Sequence, residues 1–437
     1  MDSRENARSA WGRIKRNLGI LLGERAVFAV VNFIAAGIAV RATSLEIFGQ
    51  VAVLLAFARL IGDIGKFNSW QALLTYGAPL KENGDDRGLG RLIGLTIFLD
   101  VAALIASLAA AWAIAWTLGG FMGWSDDMIA YAPWFCVIIA FIIHMTPTGV
   151  LRLYDKVAPI AAQHAITATI RLIGVGAIWY WGGGFFELTL VWTIAAVIAG
   201  LTMYWFAWAE LKRQSIKPRI AAAKREGAAA HQGFWRFAGA TNLISTLNTI
   251  LPSVATLMVN AFLGGGAAGL FAIVRQITEA MARPGDMLGP LFFSEFALLQ
   301  ARQDRRAMRR LVKRAMIWSG VILTGVIAFL TLAGGWFLGM AFGPEAKEGH
   351  TLLILVGISS ALLVWGFTLE PTLLSLNKAK QTLWSVIAAW AVFGLIIALT
   401  INDLGLIGVG LAMIGHRGTE FLIRFAFVAR YLAKARL

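Results

Sequence analysis

Three charges stand inside an apolar run as long as a membrane is thick: Arg59, Asp63 and Lys66, at i, i+4 and i+7 on one helical face. Ionisable groups in such surroundings are costly, so each is a candidate for binding or ion movement. A second stripe, Glu279, Arg283 and Asp286, lies 220 residues further on with every sign reversed. Binding, not bond making, is the chemistry these groups offer. A guanidinium donates two hydrogen bonds in a planar fork that matches phosphate, and neighbouring carboxylates can position it.

Two readings of the stripes stand side by side. One is ion pairing: Arg59–Asp63 and Glu279–Arg283 within helices, or Arg59–Glu279, Asp63–Arg283 and Lys66–Asp286 across a cleft. The other is a hydrated cationic lumen with Arg25, Arg59, Arg275 and Arg283 as anion contacts, gated by Asp63, Lys66, Glu279 and Asp286. A gate that pairs in one state can bind ligand in another. Arg171, Arg417 and Arg424 sit on pseudo-equivalent flanking spans and are expected to be structural, and His164 to be a satisfied interior histidine. Asp63, Asp100, Glu279 and Glu370 are unranked candidates for ion coupling.

The elements that hold these groups are membrane helices. Hydrophobic residues make up 58% of the 437, charged residues only 14%, against about 25% in soluble domains. Mean hydropathy is +0.71. The single cysteine, Cys136, and five scattered histidines supply neither a disulfide framework nor a metal-ligand spacing, and no cofactor is expected. Apolar stretches of about 20 residues cross a bilayer. Twelve are read: 18–40, 46–77, 89–119, 128–150, 157–181, 187–209, 234–263, 267–297, 311–341, 351–375, 380–401 and 405–430.

With the N-terminus in the cytoplasm, cytoplasmic connections hold 29 Lys and Arg and outer connections two, Arg41 and Lys347. That bias sets an even span count with both termini cytoplasmic. The net charge of +15 therefore reports topology and lipid contact, not nucleic acid. The short outer connections leave no room for a catalytic domain, so no enzyme is expected. Trp-rich edges (Trp112, Trp116, Trp124, Trp134, Trp179, Trp181, Trp192, Trp205, Trp208) read as interfacial anchors.

The 220-residue offset recurs: Trp116, Gly119 and Gly123 return as Trp336, Gly339 and Gly343. A duplicated half-protein leaves such a pattern. The expected plan is a basic juxtamembrane segment (1–17), an N-lobe (18–209, helices 1–6), a cytoplasmic linker (210–233) and a C-lobe (234–437, helices 7–12). The whole is all-α, two pseudo-symmetric six-helix lobes. Pro252, Pro284 and Gly285 are the expected hinges.

Arg41-Ala42-Thr43-Ser44-Leu45-Glu46-Ile47-Phe48-Gly49, Phe-Gly-Pro-Glu at 342–345, Leu-Arg-Leu-Tyr-Asp-Lys at 151–156 and the six-plus-six plan together carry a resemblance. The chain resembles the bacterial oligosaccharide flippases, the polysaccharide-transporter branch of the superfamily that also holds multidrug antiporters and lipid II flippases. It departs from the fourteen-span plan of the lipid II flippases. The resemblance implies a polyprenyl-diphosphate-linked oligosaccharide moved across the bacterial inner membrane for cell-surface polysaccharide or lipopolysaccharide. It also implies a lumen lined by spans one, two, seven and eight. Membrane lipids and other polysaccharide-assembly proteins are the further partners considered, with a monomer expected. The alternatives kept open are an ion-coupled multidrug antiporter and a non-transporting subunit of an envelope-polysaccharide assembly.

Overall fold

The computed structural model describes residues 23, 27–66, 69–220, 246–376 and 378–433, with side chains 283–291, 294, 301 and 433 outside the description. The expected segment 1–17 and most of the linker, from 221 on, therefore lie outside the described residues. Among the described residues all regular structure is helical. We number the helices α1 (Val27–Ala42), α2 (Leu45–Gly65), α3 (Ser69–Glu82), α4 (Asp86–Leu118), α5 (Asp126–Phe135), α6 (Ile139–Ile142), α7 (Met145–Leu153), α8 (Ala158–Trp181) and α9 (Phe185–Arg213). After these come α10 (Leu251–Ala301), α11 (Arg305–Phe342), α12 (His350–Trp365), α13 (Leu369–Ser375), α14 (Ala379–Leu404) and α15 (Leu406–Ala433).

Ten described segments are long and apolar enough to cross a membrane, and α1 is a shorter apolar helix. The first and seventh of the twelve expected spans are described only in part. The first shows only Val27–Ala42, its start lying outside the description. The seventh is described from 246 on, and Gly264 (φ 84°, ψ 177°) separates it from the eighth at the expected connection 264–266, the two being numbered together here as α10. Two expected spans are also discontinuous: 46–77 splits into α2 and α3, and 128–150 into α5, α6 and α7.

Packing divides the chain into two compact units, Met1–Leu257 and Met258–Leu437. Each has its own core. In the first, Leu73 (α3), Leu89 and Ile93 (α4), Leu151 (α7) and Met203 (α9) are buried together. In the second, Phe296 (α10), Met308 (α11), Leu369 and Leu373 (α13) and Val428 (α15) do the same. Leu89 and Met308 differ by 219, Leu151 and Leu373 by 222, so the sequence repeat reappears as equivalent core positions.

Helix starts repeat as well. Asp85 Oδ1 accepts the Gly88 N–H at 2.8 Å to cap α4, and Asp304 Oδ1 accepts the Ala307 N–H at 2.8 Å to cap α11. Such caps satisfy amides that no earlier turn can reach. The residue before each cap is left-handed: Gly84 at φ 69° and Gln303 at φ 55°. Gly123 and Gly343, at φ 70° and 100°, mark a second equivalent turn. Small residues allow close approach inside unit 1. A Cβ on Gly62 would meet Ile143 Cδ1 at 2.1 Å, and one on Gly65 would meet Ser107 Oγ at 1.9 Å.

Candidate functional site

In unit 1 the α2 run stops at Lys66 (ψ 143°), whose N–H still bonds the Gly62 carbonyl at 2.8 Å. Freed from the helix, the Lys66 side chain folds back so that Nζ lies 2.6 Å from Asp63 Oδ1. Asp63 thus pairs with Lys66, which corrects the Arg59–Asp63 pairing. Thr146, at the start of α7, donates its N–H to Asp100 Oδ2 at 2.8 Å, and the Ser69 hydroxyl, at the start of α3, donates to Asp100 Oδ1. Asp100, on α4, therefore receives donors from two helix starts created by the two breaks. Breaks within a membrane expose amides that need such acceptors. Beside it a small cavity of about 20 Å³, lined by Gly62, Lys66, Asp100, Ser107, Ile143 and Met145, has room for one water.

Arg171 is the other charge of unit 1. It lies ten residues before the end of α8, about 15 Å along the helix and so near mid-membrane. Its Nη1 donates to Asn32 Oδ1 on α1 at 3.0 Å, and its guanidinium carbon stands 5.0 Å from the Trp192 ring centre on α9. Its Nε is buried without a partner, and among the described residues no acid pairs with it. The exposed Arg59 bears on it as a like charge. The expected structural role is half met: the contacts are packing contacts, yet the charge is left uncompensated. His164 packs on Phe28, ring centres 5.1 Å apart. Trp192, 7% exposed, and Trp124, 6% exposed, are interior rings, which corrects their reading as interfacial anchors.

Unit 2 handles its charges differently. Arg275 Nη1 lies 2.8 Å from Glu279 Oε1, so Glu279 pairs backwards along α10, while the expected partner Arg283 has its side chain outside the described residues. On α15, Glu420 joins Arg417 at 2.9 Å and Arg424 at 2.5 Å, and Arg424 reaches Glu370 of α13 at 2.9 Å. Arg424 Nε also donates to Ser385 Oγ of α14 at 3.0 Å. Arg417 and Arg424 are structural, as expected. His416 is buried with both ring nitrogens unpaired, its ring edge-on to Trp390 at 5.5 Å. A groove of about 940 Å³ runs between α11, α12 and α15, apolar except for Arg309 and Lys313 at one end.

Among the remaining expected residues, Arg25 lies outside the described residues, and so do the side chains of Arg283, Pro284, Gly285 and Asp286. The α10 backbone is helical through 284–285. Pro252 sits in the first turn of α10, two residues after a bend at Ile250. Sequence reasoning missed Asn32, Ser69, Thr146, Trp192 and Ser385, neutral residues whose only signal was a nearby intramembrane charge in need of a partner. Among the described residues no group of three or more His, Cys, Asp or Glu could hold a metal ion.

Outside the spans, the Tyr154 phenol is pushed up from its ordinary value by burial and then by the Asp86 and Glu210 carboxylates. Lys81 Nζ lies 4.5 Å from the centre of its ring.

Solved structures share this fold. A multidrug resistance MATE family transporter of the MOP superfamily, in its inward-facing conformation, superposes with a TM-score of 0.74 at 14% identity, over 93% of this chain and 95% of that one. The fold is similar to that of MATE transporters. The lipid II flippase MurJ, in an inward closed conformation, gives 0.65 at 12% identity over 92% of this chain and 87% of its own. By sequence, the inner membrane protein YghQ of Escherichia coli (strain K12) is 27% identical over 347 residues, 79% of this chain and 97% of that protein. No family model matches the chain.

Proposed function

We propose that the chain is a multi-pass transporter of the bacterial inner membrane that moves an anionic, polyprenyl-diphosphate-linked oligosaccharide between leaflets by alternating access, and performs no covalent chemistry. One observation carries the choice of an anion. Five described intramembrane carboxylates are already committed: Asp63 to Lys66, Asp100 to Ser69 and Thr146, Glu279 to Arg275, and Glu370 and Glu420 to the α15 arginines. Arg171 has no acid. A cationic drug would need a carboxylate released from one of these pairs, whereas an anion can use guanidinium donors directly. The lipid II flippase relative in fold and the inner-membrane relative in sequence agree with this reading.

On this reading Arg25, Arg59, Arg275 and Arg283 contact the diphosphate, and Asp63, Lys66, Glu279 and Asp286 exchange pairs during gating. Pro252, Pro284 and Gly285 are the proposed hinges. The apolar groove of unit 2, with Arg309 and Lys313 at one end, suits membrane lipid. A second reading, an ion-coupled multidrug antiporter, draws on the higher fold similarity to a MATE transporter.

The test is reconstitution of the full chain in liposomes with a fluorescent polyprenyl-diphosphate oligosaccharide. Wild-type translocation that Arg59→Ala and Arg275→Ala reduce at least tenfold is the expected result. No translocation, together with proton-coupled efflux of a cationic dye, would transfer the assignment to the antiporter.

A further inference from the structure

An arginine at mid-membrane carries a desolvation cost of several kcal/mol that is normally offset by a carboxylate. Arg171 has none among the described residues. Of the five N–H donors of a guanidinium, the described contacts use one, to Asn32, and the buried Nε uses none. The Trp192 face offers a modest cation–π attraction. Arg59, the other cation bearing on Arg171, adds repulsion. Snorkelling gives no escape, since roughly 15 Å of helix to the end of α8 exceeds the reach of one side chain.

The arrangement is stiff as well as charged. Asn32 on α1 and Trp192 on α9 fix the guanidinium from two sides, and Phe28 of α1 packs on His164 of α8, one turn from Asn32 and two turns from Arg171. A donor group held in place with unused N–H bonds is preorganised for an acceptor that no described residue supplies.

We infer that Arg171, held by Asn32 and Trp192 and accompanied by Arg59, is an oxyanion-binding residue of unit 1 that takes a phosphate or diphosphate group. Arg171 lies on α8 and is not one of the four arginines proposed for the lumen; Arg59 belongs to both sets. Its assignment to the carrier diphosphate rests on the transporter reading; its assignment to a phosphate-class anion does not. A diphosphate would supply the missing negative charge and two or more acceptors to the unused donors. The same chemistry is offered by an anionic phospholipid headgroup.

The experiment measures equilibrium binding of three probes to the purified full chain in neutral detergent: sugar-free polyprenyl diphosphate, phosphatidylglycerol and inorganic diphosphate. Wild type is compared with Arg171→Gln and Arg171→Lys, with thermal melting alongside. Polyprenyl diphosphate should bind on the order of ten- to a hundredfold more weakly to Arg171→Gln, the loss of one charge-assisted contact. Arg171→Lys should fall between, keeping the charge and losing the fork. The melting temperature of Arg171→Gln without ligand should equal or exceed wild type, because an uncompensated charge is removed.

If phosphatidylglycerol or inorganic diphosphate shows that loss and polyprenyl diphosphate does not bind at all, the anion site stands and the transporter reading loses its substrate. Equal binding of polyprenyl diphosphate by wild type and Arg171→Gln overturns the site and leaves that reading intact. A lowered melting temperature with no oxyanion binding by wild type also overturns it, returning Arg171 to packing. Should Arg171→Gln fail to fold, Arg171→Lys decides alone: undiminished affinity refutes the site.

Discussion

Glu420→Gln should be among the most damaging single changes in unit 2. Glu420 is 3% exposed and holds two guanidinium groups, Arg417 at 2.9 Å and Arg424 at 2.5 Å. The substitution keeps the shape and removes the charge. Arg417 is then left with no acid among the described residues, while Arg424 retains Glu370. Removing one partner of a buried pair costs about 3–5 kcal/mol, because an uncompensated charge stays behind. For a unit of this size that lowers the melting temperature by about 10 °C. Glu370→Gln should cost less than half as much, since the Glu370 side chain is 30% exposed and Arg424 keeps Glu420. The assay is thermal unfolding of purified protein followed by tryptophan fluorescence. Adding Arg417→Met to Glu420→Gln should recover part of the loss, because it deletes the stranded charge. A Glu420→Gln shift no larger than that of Glu370→Gln, or no recovery in the double variant, would refute the argument that charge compensation holds α15 in place.

Asp100→Ala should destabilise unit 1 by about 2–4 kcal/mol, because two donors at helix starts lose their acceptor; a melting curve within 1 kcal/mol of wild type contradicts this. Asp100→Asn keeps an acceptor oxygen and should lie between. Gly264→Ala forces a side chain onto φ 84° and should cost about 1 kcal/mol or more in the same assay, whereas Gly325→Ala, in the helical middle of α11 with open space at its Cβ, should be neutral or stabilising.

The helices and their repeat were legible because they are local, and the caps Asp85 and Asp304, which sequence reasoning did not single out, carry a signal of the same local kind. Apolar length makes a span, an acid before a run makes a cap, and Gly123 and Gly343 mark turns that need a positive φ. The breaks after Gly65 and before Met145 were not legible, since an apolar run shows no change of composition where its hydrogen bonding stops. Their signal was indirect. A lone acid such as Asp100 inside a span demands donors, and a break supplies them, so Ser69 and the Thr146-Pro147 pair were the residues to examine.

Choice of partner failed for a related reason. Helical spacing allowed Asp63 to meet either Arg59 or Lys66. The helix end at Lys66 decided for the lysine, and no spacing rule contains that helix end. The same limit explains Arg171. Sequence placed it beside Arg417 and Arg424 as a flanking structural arginine, because all three occupy similar positions in apolar runs. What separates them is the neighbouring acid. Glu420 stands three residues after Arg417 and four before Arg424, within one helical face, while the residues one turn either side of Arg171 are Thr167, Ala168, Gly174 and Val175. A buried guanidinium with no acid at i±3 or i±4 must find its counter-charge on another helix or in a ligand. Among the described residues no other helix supplies one, and the proposed phosphate-class ligand would supply it.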